Sequence, residues 1–278
     1  MKVLITGASG QLGHDLQRAF ADDHVVALDR ASLDVSREAD VQAAVADHRP
    51  DLVVHSAAFT KVDACETESE TAWRVNATAS WWVARACETV DAAMVYISSD
   101  YVFDGSLGRP YTEFDTVNPR SMYGRSKEAG EQLVRRTLDR HYIVRTSWVH
   151  GADGGNFAKT MLRLGRERGA VSVVDDQTGS PTFTFDLAPQ IRRLAATGRP
   201  GTYHLTNRGH CTWFEFAAAI FDGAGLDVDL TPTDTASFGA PAHRPAYSVL
   251  DNLMARQVGL PDMPHWQDSL KVLLQEIA

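Results

Sequence analysis

A glycine loop between a strand and a helix is the feature that most restricts how this chain can fold. Gly7, Gly10 and Gly13 form the motif G-x-x-G-x-x-G. It follows a strand predicted over residues 2–6 and opens a helix predicted to reach Phe20. The first glycine allows a tight turn, the second lets a phosphate approach the backbone, and the third permits close helix–strand packing. Turns without any ligand produce similar patterns, so the loop alone favours dinucleotide binding without establishing it.

Strands and helices alternate through the first half of the chain. Further strands are predicted over residues 24–28, 52–55, 93–98 and 141–146, with helices near residues 37–47, 68–90 and 125–138 between them. After Gly151 we predict helices over residues 156–167, 185–196 and 213–222, and a long loop over residues 231–247. The alternation predicts an α/β fold with a Rossmann-like, doubly wound parallel sheet. We assign residues 1–150 to an NAD(P)-binding Rossmann domain and residues 151–278 to a smaller C-terminal substrate-binding lobe.

Composition excludes several classes of protein. The 278 residues are 44% hydrophobic and 23% charged, which suits a globular protein with its own core. A net charge of −9 argues against non-specific nucleic-acid binding. The three cysteines form no C-x-x-C pair and are expected to be reduced thiols. The chain begins with a strand rather than a signal peptide, and no apolar run approaches the ~20 residues of a membrane span. We therefore expect a cytoplasmic protein that binds neither nucleic acid nor membrane.

Asp29 and Arg30 follow the second predicted strand, where a Rossmann domain reads the adenosine ribose. Asp29, 22 residues after Gly7, can accept hydrogen bonds from the ribose hydroxyls and favours NADH. Arg30 can instead hold a 2′-phosphate and favours NADPH, so the pair is compatible with both cofactors. A solvated loop pair is the alternative interpretation. Other residues predicted to contact the cofactor are Gln11, Leu12, Asp34, Val35, Ser56, Ala57 and Ala58.

Tyr123 and Lys127 place a phenol and an ammonium one helical turn apart on the same face. A carbonyl reductase must deliver a proton to oxygen as hydride reaches carbon. A nearby ammonium would lower the pKa of the phenol from its usual ~10 and so assist that proton transfer. Y-x-x-x-K also occurs by chance on exposed helices. Ser99 follows the fourth predicted strand, where its hydroxyl can donate to the substrate carbonyl; a simple turn residue is the alternative.

Several segments together resemble the dTDP-4-dehydrorhamnose reductases, a family of the extended short-chain dehydrogenases/reductases. The resemblance spans nearly the whole chain and is therefore more specific than any single motif. Members thread their second lobe from several segments, so the boundary at residue 150 is soft. The segments that carry the resemblance are GASGQLG (7–13), SSDYVFDG (98–105), YGRSK (123–127), RTSWVHG (145–151), NFAKTML (156–162), DDQTGSPT (175–182) and RPAYSVLD (244–251).

The resemblance implies reduction of the 4-keto group of dTDP-4-dehydro-L-rhamnose to give dTDP-L-rhamnose, with NADPH or NADH as the reductant. It also assigns roles to three residues. Tyr123 is the proton donor, and Lys127 tunes it while holding the nicotinamide ribose. Ser99 polarises the C4 carbonyl, at a position where many members have Thr.

The same resemblance implies contacts to the substrate. Asp100 would contact the sugar, and Trp148 would flank the sugar nucleotide, with core packing as its alternative. Arg244 would bind the diphosphate, because guanidinium matches phosphate oxygens bidentately; its alternative is a surface salt bridge. His150 stands where Tyr is usual, and the pair His55–Ser56 replaces Asn-Ala, which points to a different sugar as one option.

Other functions remain open at this point. A related dTDP-4-keto-deoxysugar reductase or an epimerase would share the glycine loop and Y-x-x-x-K, although SSDYVFDG with RTSWV favours reduction. A non-catalytic regulatory subunit of the same fold is the third option, and the intact catalytic residues count against it. The histidines lack H-x-x-x-H spacing, so no metal site is predicted. Some relatives form metal-bridged dimers, which leaves a homodimer and Mg²⁺ open, while Asp175–Asp176 fits a cation less well than a solvated turn.

Overall fold

The computed structural model describes residues 1–277. Its strands are β1 (Lys2–Thr6), β2 (His24–Leu28), β3 (Leu52–His55), β4 (Ala93–Ser99), β5 (His141–Thr146), β6 (Val149–His150), β7 (Ala170–Val174), β8 (Thr178–Gly179), β9 (Thr182–Phe183), β10 (Gly201–His204), β11 (Cys211–Thr212) and β12 (Asp229–Thr233). Its α-helices are α1 (Gln11–Ala19), α2 (Glu38–His48), α3 (Val62–Thr67), α4 (Ser69–Trp73), α5 (Ala79–Thr89), α6 (Met122–Thr137), α7 (Phe157–Arg168), α8 (Thr184–Ala196), α9 (Trp213–Gly223), α10 (Thr235–Phe238), α11 (Leu253–Gln257) and α12 (Trp266–Ile277).

The largest sheet among the described residues has six parallel strands in the order β10-β5-β4-β3-β1-β2. From β1 the chain first runs outward to β2 and then returns to β3 on the other side of β1. The strand order therefore reverses between β1 and β3, and in open α/β sheets a ligand crevice lies outside the strand ends at such a point. The five strands predicted from the sequence are confirmed, with β4 one residue longer, and the predicted fold class is confirmed.

Both faces of this sheet are covered by helices because its strands are apolar on both sides. Val3 and Ile5 face one way and pack with Leu16 of α1 and with residues of α8. Leu4 faces the other way and packs with Val83 of α5 and with residues of α2 and α6. The carboxyl ends of the strands remain as the open edge at which loops can build a site.

The long helix predicted over residues 68–90 is wrong in detail. The structure has α4 and α5 joined by a π-helical segment, Arg74–Thr78, with α3 as a separate helix before them. Inside this segment the Asn76 carbonyl accepts hydrogen bonds from the Tyr96 hydroxyl at 2.9 Å and from Ser80 Oγ at 2.9 Å. These bonds from outside the main-chain ladder accompany the wider turn, and such π-bulges are frequent at functional sites.

A second apolar core lies among α7, α9 and α12, where Phe183, Phe216 and Trp266 are buried. Not all residues after 150 belong to this lobe, because β10 pairs with β5 at the edge of the large sheet. The loop predicted over residues 231–247 is partly wrong, because β12 pairs with β7 and α10 follows it. Pro232 is tolerated there because β12 lies at the edge of a two-stranded sheet.

Within residues 1–277, no helix is long and apolar enough to cross a bilayer. Cys65, Cys87 and Cys211 are buried free thiols. Burial raises the pKa of Cys65 to about 11 and that of Cys87 to about 12. High pKa values leave little thiolate at neutral pH, which disfavours a nucleophilic role for these two cysteines.

Candidate active site

A cavity of about 1060 Å³ opens at the carboxyl ends of β1, β3, β4 and β5. It brings together most of the residues that the sequence predicts for the site. Two of them, Asp29 and Arg244, do not line it. The predicted residues that do line it are Gly7, Gly10, Gln11, Leu12, Gly13, Arg30, Asp34, Val35, Ser56, Ala57, Ala58, Ser99, Asp100, Tyr123, Lys127 and Trp148.

The glycine loop forms one end of the cavity and leaves no room for side chains. Gly7 has a φ of 69°, and a Cβ there would lie 2.8 Å from the Ala57 nitrogen. A Cβ on Gly13 would lie 2.3 Å from the Gly7 oxygen. Helix α1 starts at Gln11, directly after Gly10, so its free N–H groups and its positive dipole end face the cavity. This cradle fits the pyrophosphate of a dinucleotide, which needs close backbone approach and donors without a competing side chain.

Arg30 and Asp29 take different positions at the adenosine end. Arg30 lines the cavity. The Asp29 carboxylate accepts hydrogen bonds from the Ala31 and Ser32 nitrogens, both at 3.0 Å, and from Ser32 Oγ at 2.8 Å. These bonds to Ser32 and Ala31 hold the pKa of Asp29 below its usual value. In this conformation Arg30 lines this end of the cavity and Asp29 does not.

Helix α6 carries both members of the predicted catalytic pair. It begins with Ser121 as a cap, whose Oγ accepts from the Gly124 nitrogen at 3.1 Å. A Cβ on Gly124 would lie 2.2 Å from the Tyr101 oxygen, so this glycine lets α6 approach the 3₁₀ turn that follows β4. The Tyr123 ring packs edge-on against Tyr101, with centroids 5.4 Å apart. The close approach therefore brings Tyr123 next to the segment that contains Ser99.

The ionisation of this pair differs from the prediction. Burial raises the pKa of Tyr123 above its usual range; Ser99 acts in the opposite direction, while Asp100 adds to the rise. Burial lowers the pKa of Lys127 to about 7, against the attraction of Glu131. The expectation that Lys127 makes the phenol more acidic is not met in this structure, because burial dominates and the nearby Asp100 charge acts in the same direction as burial. Tyr123 therefore holds its proton at neutral pH, as a proton donor must.

Ser99 and Asp100 lie side by side at the end of β4, and both are buried. Ser99 Oγ donates to Asp100 Oδ1 at 2.9 Å and accepts from the Tyr101 nitrogen at 3.1 Å. Burial raises the pKa of Asp100 to about 6, although the hydroxyls of Ser248 and Ser99 act against it. A carboxyl with this pKa can exist in either charge state near neutral pH, which affects whether Ser99 donates or accepts.

Asn76 is a site-supporting residue that sequence reasoning missed. Its Nδ2 donates to Ser126 Oγ at 3.0 Å, and its Oδ1 accepts from the Phe59 nitrogen at 2.8 Å. Phe59 lines the cavity after β3, and Ser126 precedes Lys127 on α6. Asn76 thus connects two walls of the site. Its position within an apolar helical stretch was the available signal, since a buried amide requires hydrogen-bond partners.

His55 and His150, the histidines at the two positions that depart from the family pattern, are both buried and neutral. His55 Nδ1 lies 2.7 Å from Thr6 Oγ1, and burial with the nearby Lys127 charge lowers the pKa of His55 to about 3. His150 Nδ1 lies 2.6 Å from the Trp148 oxygen, and burial lowers the pKa of His150 to about 4. Neither histidine carries a charge at neutral pH, so His150, which lines the cavity, affects it through shape and hydrogen bonding.

Trp148 and Trp213 form an aromatic wall of the cavity. Their rings stack face to face, with centroids 3.5 Å apart and planes within 7°. Trp148 has a φ of 45°, which is unusual for a bulky residue, and a Cβ on Gly179 would lie 2.4 Å from its ring. Strained backbone of this kind tends to occur at functional sites. Sequence reasoning singled out Trp148 but missed Trp213 and Gly179, because their contact with it depends on the tertiary fold.

Arg244 forms a bidentate ion pair with Asp63 at the start of α3. Nη1 lies 2.9 Å from Oδ1, and Nη2 lies 2.8 Å from Oδ2. Arg244 is also close to Tyr101, a residue that lines the cavity. The structure thus shows the salt bridge that was the alternative interpretation, at the border of the cavity.

Among residues 1–277, no group of three or more His, Cys, Asp or Glu side chains could hold a metal ion. The two carboxylates of the Asp175–Asp176 pair are engaged elsewhere. Asp175 accepts from Thr212 Oγ1 at 2.6 Å, and Asp176 accepts from the Thr235 nitrogen at 2.9 Å and from Thr235 Oγ1 at 2.7 Å. These bonds connect the loop that contains Asp175 and Asp176 to the starts of α9 and α10.

Comparison with known proteins agrees with this site. A family model described as the RmlD substrate binding domain matches residues 1–278. The structure of a dTDP-4-dehydrorhamnose reductase from Bacillus anthracis str. Ames in complex with NADP is 45% identical, with a TM-score of 0.97 and 99% of each chain covered. The dTDP-4-dehydrorhamnose reductase of Streptomyces griseus is 44% identical, covering 96% of this chain and 91% of that one. The dTDP-4-keto-6-deoxy-D-glucose reductase of Streptomyces niveus is 40% identical, covering 96% and 94%. The chain therefore belongs to the dTDP-4-dehydrorhamnose reductase family.

Proposed function

We propose that this protein reduces the 4-keto group of dTDP-4-dehydro-L-rhamnose to give dTDP-L-rhamnose, with NADPH or NADH as the reductant. The observation that carries the proposal is the meeting of Ser99, Tyr123 and Lys127 in one cavity with the glycine loop. The names of the B. anthracis and S. griseus relatives support the same reaction, and the bound NADP of the former supports a nicotinamide cofactor.

The glycine loop and Arg30 would hold the cofactor at one end of the cavity, with Lys127 at the other end near the nicotinamide ribose. When bound there, the cofactor supplies the hydride that reaches C4 of the sugar. Tyr123 keeps its phenolic proton at neutral pH, because burial raises its pKa, and would give that proton to the O4 atom. General acid catalysis of this kind contributes typically ~10²–10⁴-fold to the rate.

Ser99 would donate a hydrogen bond to the same oxygen. In this structure the hydroxyl proton of Ser99 points to Asp100. Donation to the ketone therefore requires the Ser99 hydroxyl to rotate away from that carboxyl, and protonation of Asp100 would ease this rotation. Charge that develops on O4 during hydride transfer would then be shared between Ser99 and Tyr123.

A second candidate is reduction of another dTDP-4-keto-6-deoxyhexose. The dTDP-4-keto-6-deoxy-D-glucose reductase of S. niveus is 40% identical to this chain. His150 also lies in the cavity wall at a position where the family usually has Tyr. A change at that wall would alter which sugar fits, without affecting Ser99, Tyr123 or Lys127.

The two candidates are separated by supplying the substrates in parallel. The purified protein is incubated with dTDP-4-keto-6-deoxy-D-glucose, with and without an epimerase that makes dTDP-4-dehydro-L-rhamnose in situ. NADPH and NADH consumption is followed by absorbance, and the products are identified by NMR. The proposal expects dTDP-L-rhamnose only when the epimerase is present. Equal turnover without it would favour the second candidate, and no turnover in either mixture would contradict both.

A further inference from the structure

A buried carboxylate lies one helical turn beyond Lys127 on α6. Glu131 is 1% exposed. Its oxygens accept from Arg145 Nε at 2.9 Å and from Arg145 Nη2 at 2.7 Å. Ser98 Oγ also donates to Glu131 at 2.6 Å. Arg145 is itself 4% exposed, so this is a desolvated, bidentate ion pair with an additional hydroxyl donor.

The partners of Glu131 connect three elements of the site. Ser98 directly precedes Ser99 in β4 and lies opposite Arg145 of β5 in the sheet register. Glu131 therefore joins the helix that carries Tyr123 and Lys127 to the strand that carries Ser99. A shift of α6 relative to β4 and β5 would break the Ser98 bond and the ion pair with Arg145, so these bonds fix the relative position of the three reacting groups.

The charge on Lys127 depends on the groups that face it. From β4, the Tyr96 ring lies under the ammonium, with its centroid 4.2 Å from Nζ. From β3, His55 faces it as a neutral imidazole, since burial lowers the pKa of His55 to about 3. From α6, Tyr123 retains its proton, and Glu131 supplies the negative charge that acts on Lys127.

Glu131 can supply that charge because its own ionisation is secured. Burial would raise the pKa of Glu131, but Arg145, Ser98 and Arg135 together outweigh burial, so the pKa is lowered overall. Arg135 of α6 lies 3.5 Å from Oε2. Glu131 therefore remains an anion across the range in which Lys127 gains or loses its proton.

We propose that Glu131 is a positioning residue for the reductase reaction: it favours the cationic form of Lys127 within the buried cleft and holds α6 in register with Ser99. A buried ion pair is weak evidence for stability, because apolar residues of similar volume are often as stable. Its presence one helical turn beyond Lys127 therefore favours a functional explanation. The inference rests on the proposed function, since that function gives Lys127 its role.

The first measurement needs neither cofactor nor substrate. Competitive acetylation by acetic anhydride over a pH series, quantified by peptide mass spectrometry, follows the protonation of Lys127 with exposed Lys271 as the internal reference. Glu131→Gln is expected to move the Lys127 labelling curve to lower pH by about one unit, which is about a tenfold loss of the protonated fraction on the alkaline side. Glu128→Gln is the matched control, because Glu128 bonds to Gln132 on the same helix and should leave the curve unchanged.

Removal of Glu131 alone leaves Arg145 buried without its partner, which destabilises proteins strongly. The double variant E131Q/R145M removes both charges at similar volume and is expected to shift the Lys127 curve in the same direction by a smaller amount, because loss of the Arg145 cation offsets part of the loss of the Glu131 anion. Turnover of the holoenzyme should fall about tenfold at pH 8 and less at pH 6, with KM for the sugar nucleotide nearly unchanged. Glu131→Asp, which retains the charge, should recover much of the loss at pH 8.

An unshifted Lys127 curve in either folded variant would overturn the inference. So would a turnover loss of equal size at pH 6 and pH 8, because that result indicates a structural role alone. A wild-type protein with no reductase activity would contradict the proposed function instead, while the labelling experiment would still decide whether Glu131 controls the charge of Lys127.

Discussion

The two ends of the cleft are built in different ways. The end proposed for the cofactor is made largely from one contiguous stretch, in which residues 7–13 run from β1 into α1 and Gly7 and Gly13 closely approach neighbouring backbone. The end proposed for the substrate is bordered by pairs of residues that are distant in sequence, such as Asp63 and Arg244, which are 181 positions apart. A contiguous motif specifies its own geometry, whereas a distant pair depends on the whole fold. The comparison predicts that mutations at the two ends have separable effects on cofactor and substrate.

The largest effect is expected between the two ends, at Tyr123. Tyr123→Phe removes the proton donor but keeps the ring that packs against Tyr101. Turnover should fall by about 10²–10⁴-fold, because that is the typical contribution of general acid catalysis. NADPH affinity, measured by fluorescence titration, should be nearly unchanged. A variant that keeps more than half of the wild-type turnover would remove Tyr123 from the mechanism.

A smaller effect, confined to the substrate end, is expected at Arg244. In this structure its guanidinium pairs with Asp63, and we propose that the diphosphate of the substrate competes for it. Arg244→Ala should raise KM for the sugar nucleotide roughly ten- to a hundred-fold, since a charged hydrogen bond contributes ~1.5–3 kcal/mol.

In the Arg244→Ala variant the affinity for the cofactor should barely change, in contrast to KM for the sugar nucleotide. Lys61→Ala is the control, because Lys61 is another cation at the cavity and is expected to have a smaller effect on KM. If titration shows that Arg244→Ala binds dTDP as tightly as the wild type, then the diphosphate assignment is wrong and the ion pair with Asp63 is structural.

Two glycines, one at each end, allow a matched comparison. A Cβ on Gly13 would meet the Gly7 oxygen at 2.3 Å, and a Cβ on Gly179 would meet the Trp148 ring at 2.4 Å. Overpacking costs typically ~1–3 kcal/mol, so each alanine variant should weaken its own ligand by about tenfold. Gly13→Ala should raise the Kd for NADPH, and Gly179→Ala should raise the Kd for dTDP. Equal losses of both ligands in either variant would contradict the separation of the two ends.

The difference between the two ends also explains what the sequence could predict. The fold, the glycine loop and the spacing of Tyr123 and Lys127 were readable because each depends on local periodicity or on a short motif. Glu131 and Trp213 were missed because their roles come from Arg145 and Trp148, which reach them only through tertiary packing. The predicted effect of Lys127 on the phenol is not met for a related reason, since spacing shows that an ammonium is near but not how strongly burial raises the pKa of the phenol.

The smallest effect is expected at the adenosine end, where Arg30 and Asp29 compete. Arg30 lines the cavity, whereas the Asp29 carboxylate is held in a turn by Ala31 and Ser32. Arg30→Ala should therefore shift the ratio of kcat/KM for NADPH over NADH toward NADH. Asp29→Ala should shift it toward NADPH by a smaller factor, because removing the carboxylate relieves its repulsion of the 2′-phosphate.

Arg30 is exposed, so salt screens its attraction to a phosphate, and we expect a change of only a few-fold at physiological ionic strength. The Arg30→Ala shift should grow as the salt concentration is lowered, because the Debye length increases from about 8 Å at 0.15 M to about 30 Å at 0.01 M. Kinetics with both cofactors at these two salt concentrations provide the measurement. A ratio that stays constant in both variants and at both concentrations would mean that neither residue reads the ribose, and that cofactor choice is made elsewhere along the loop from Leu33 to Ser36.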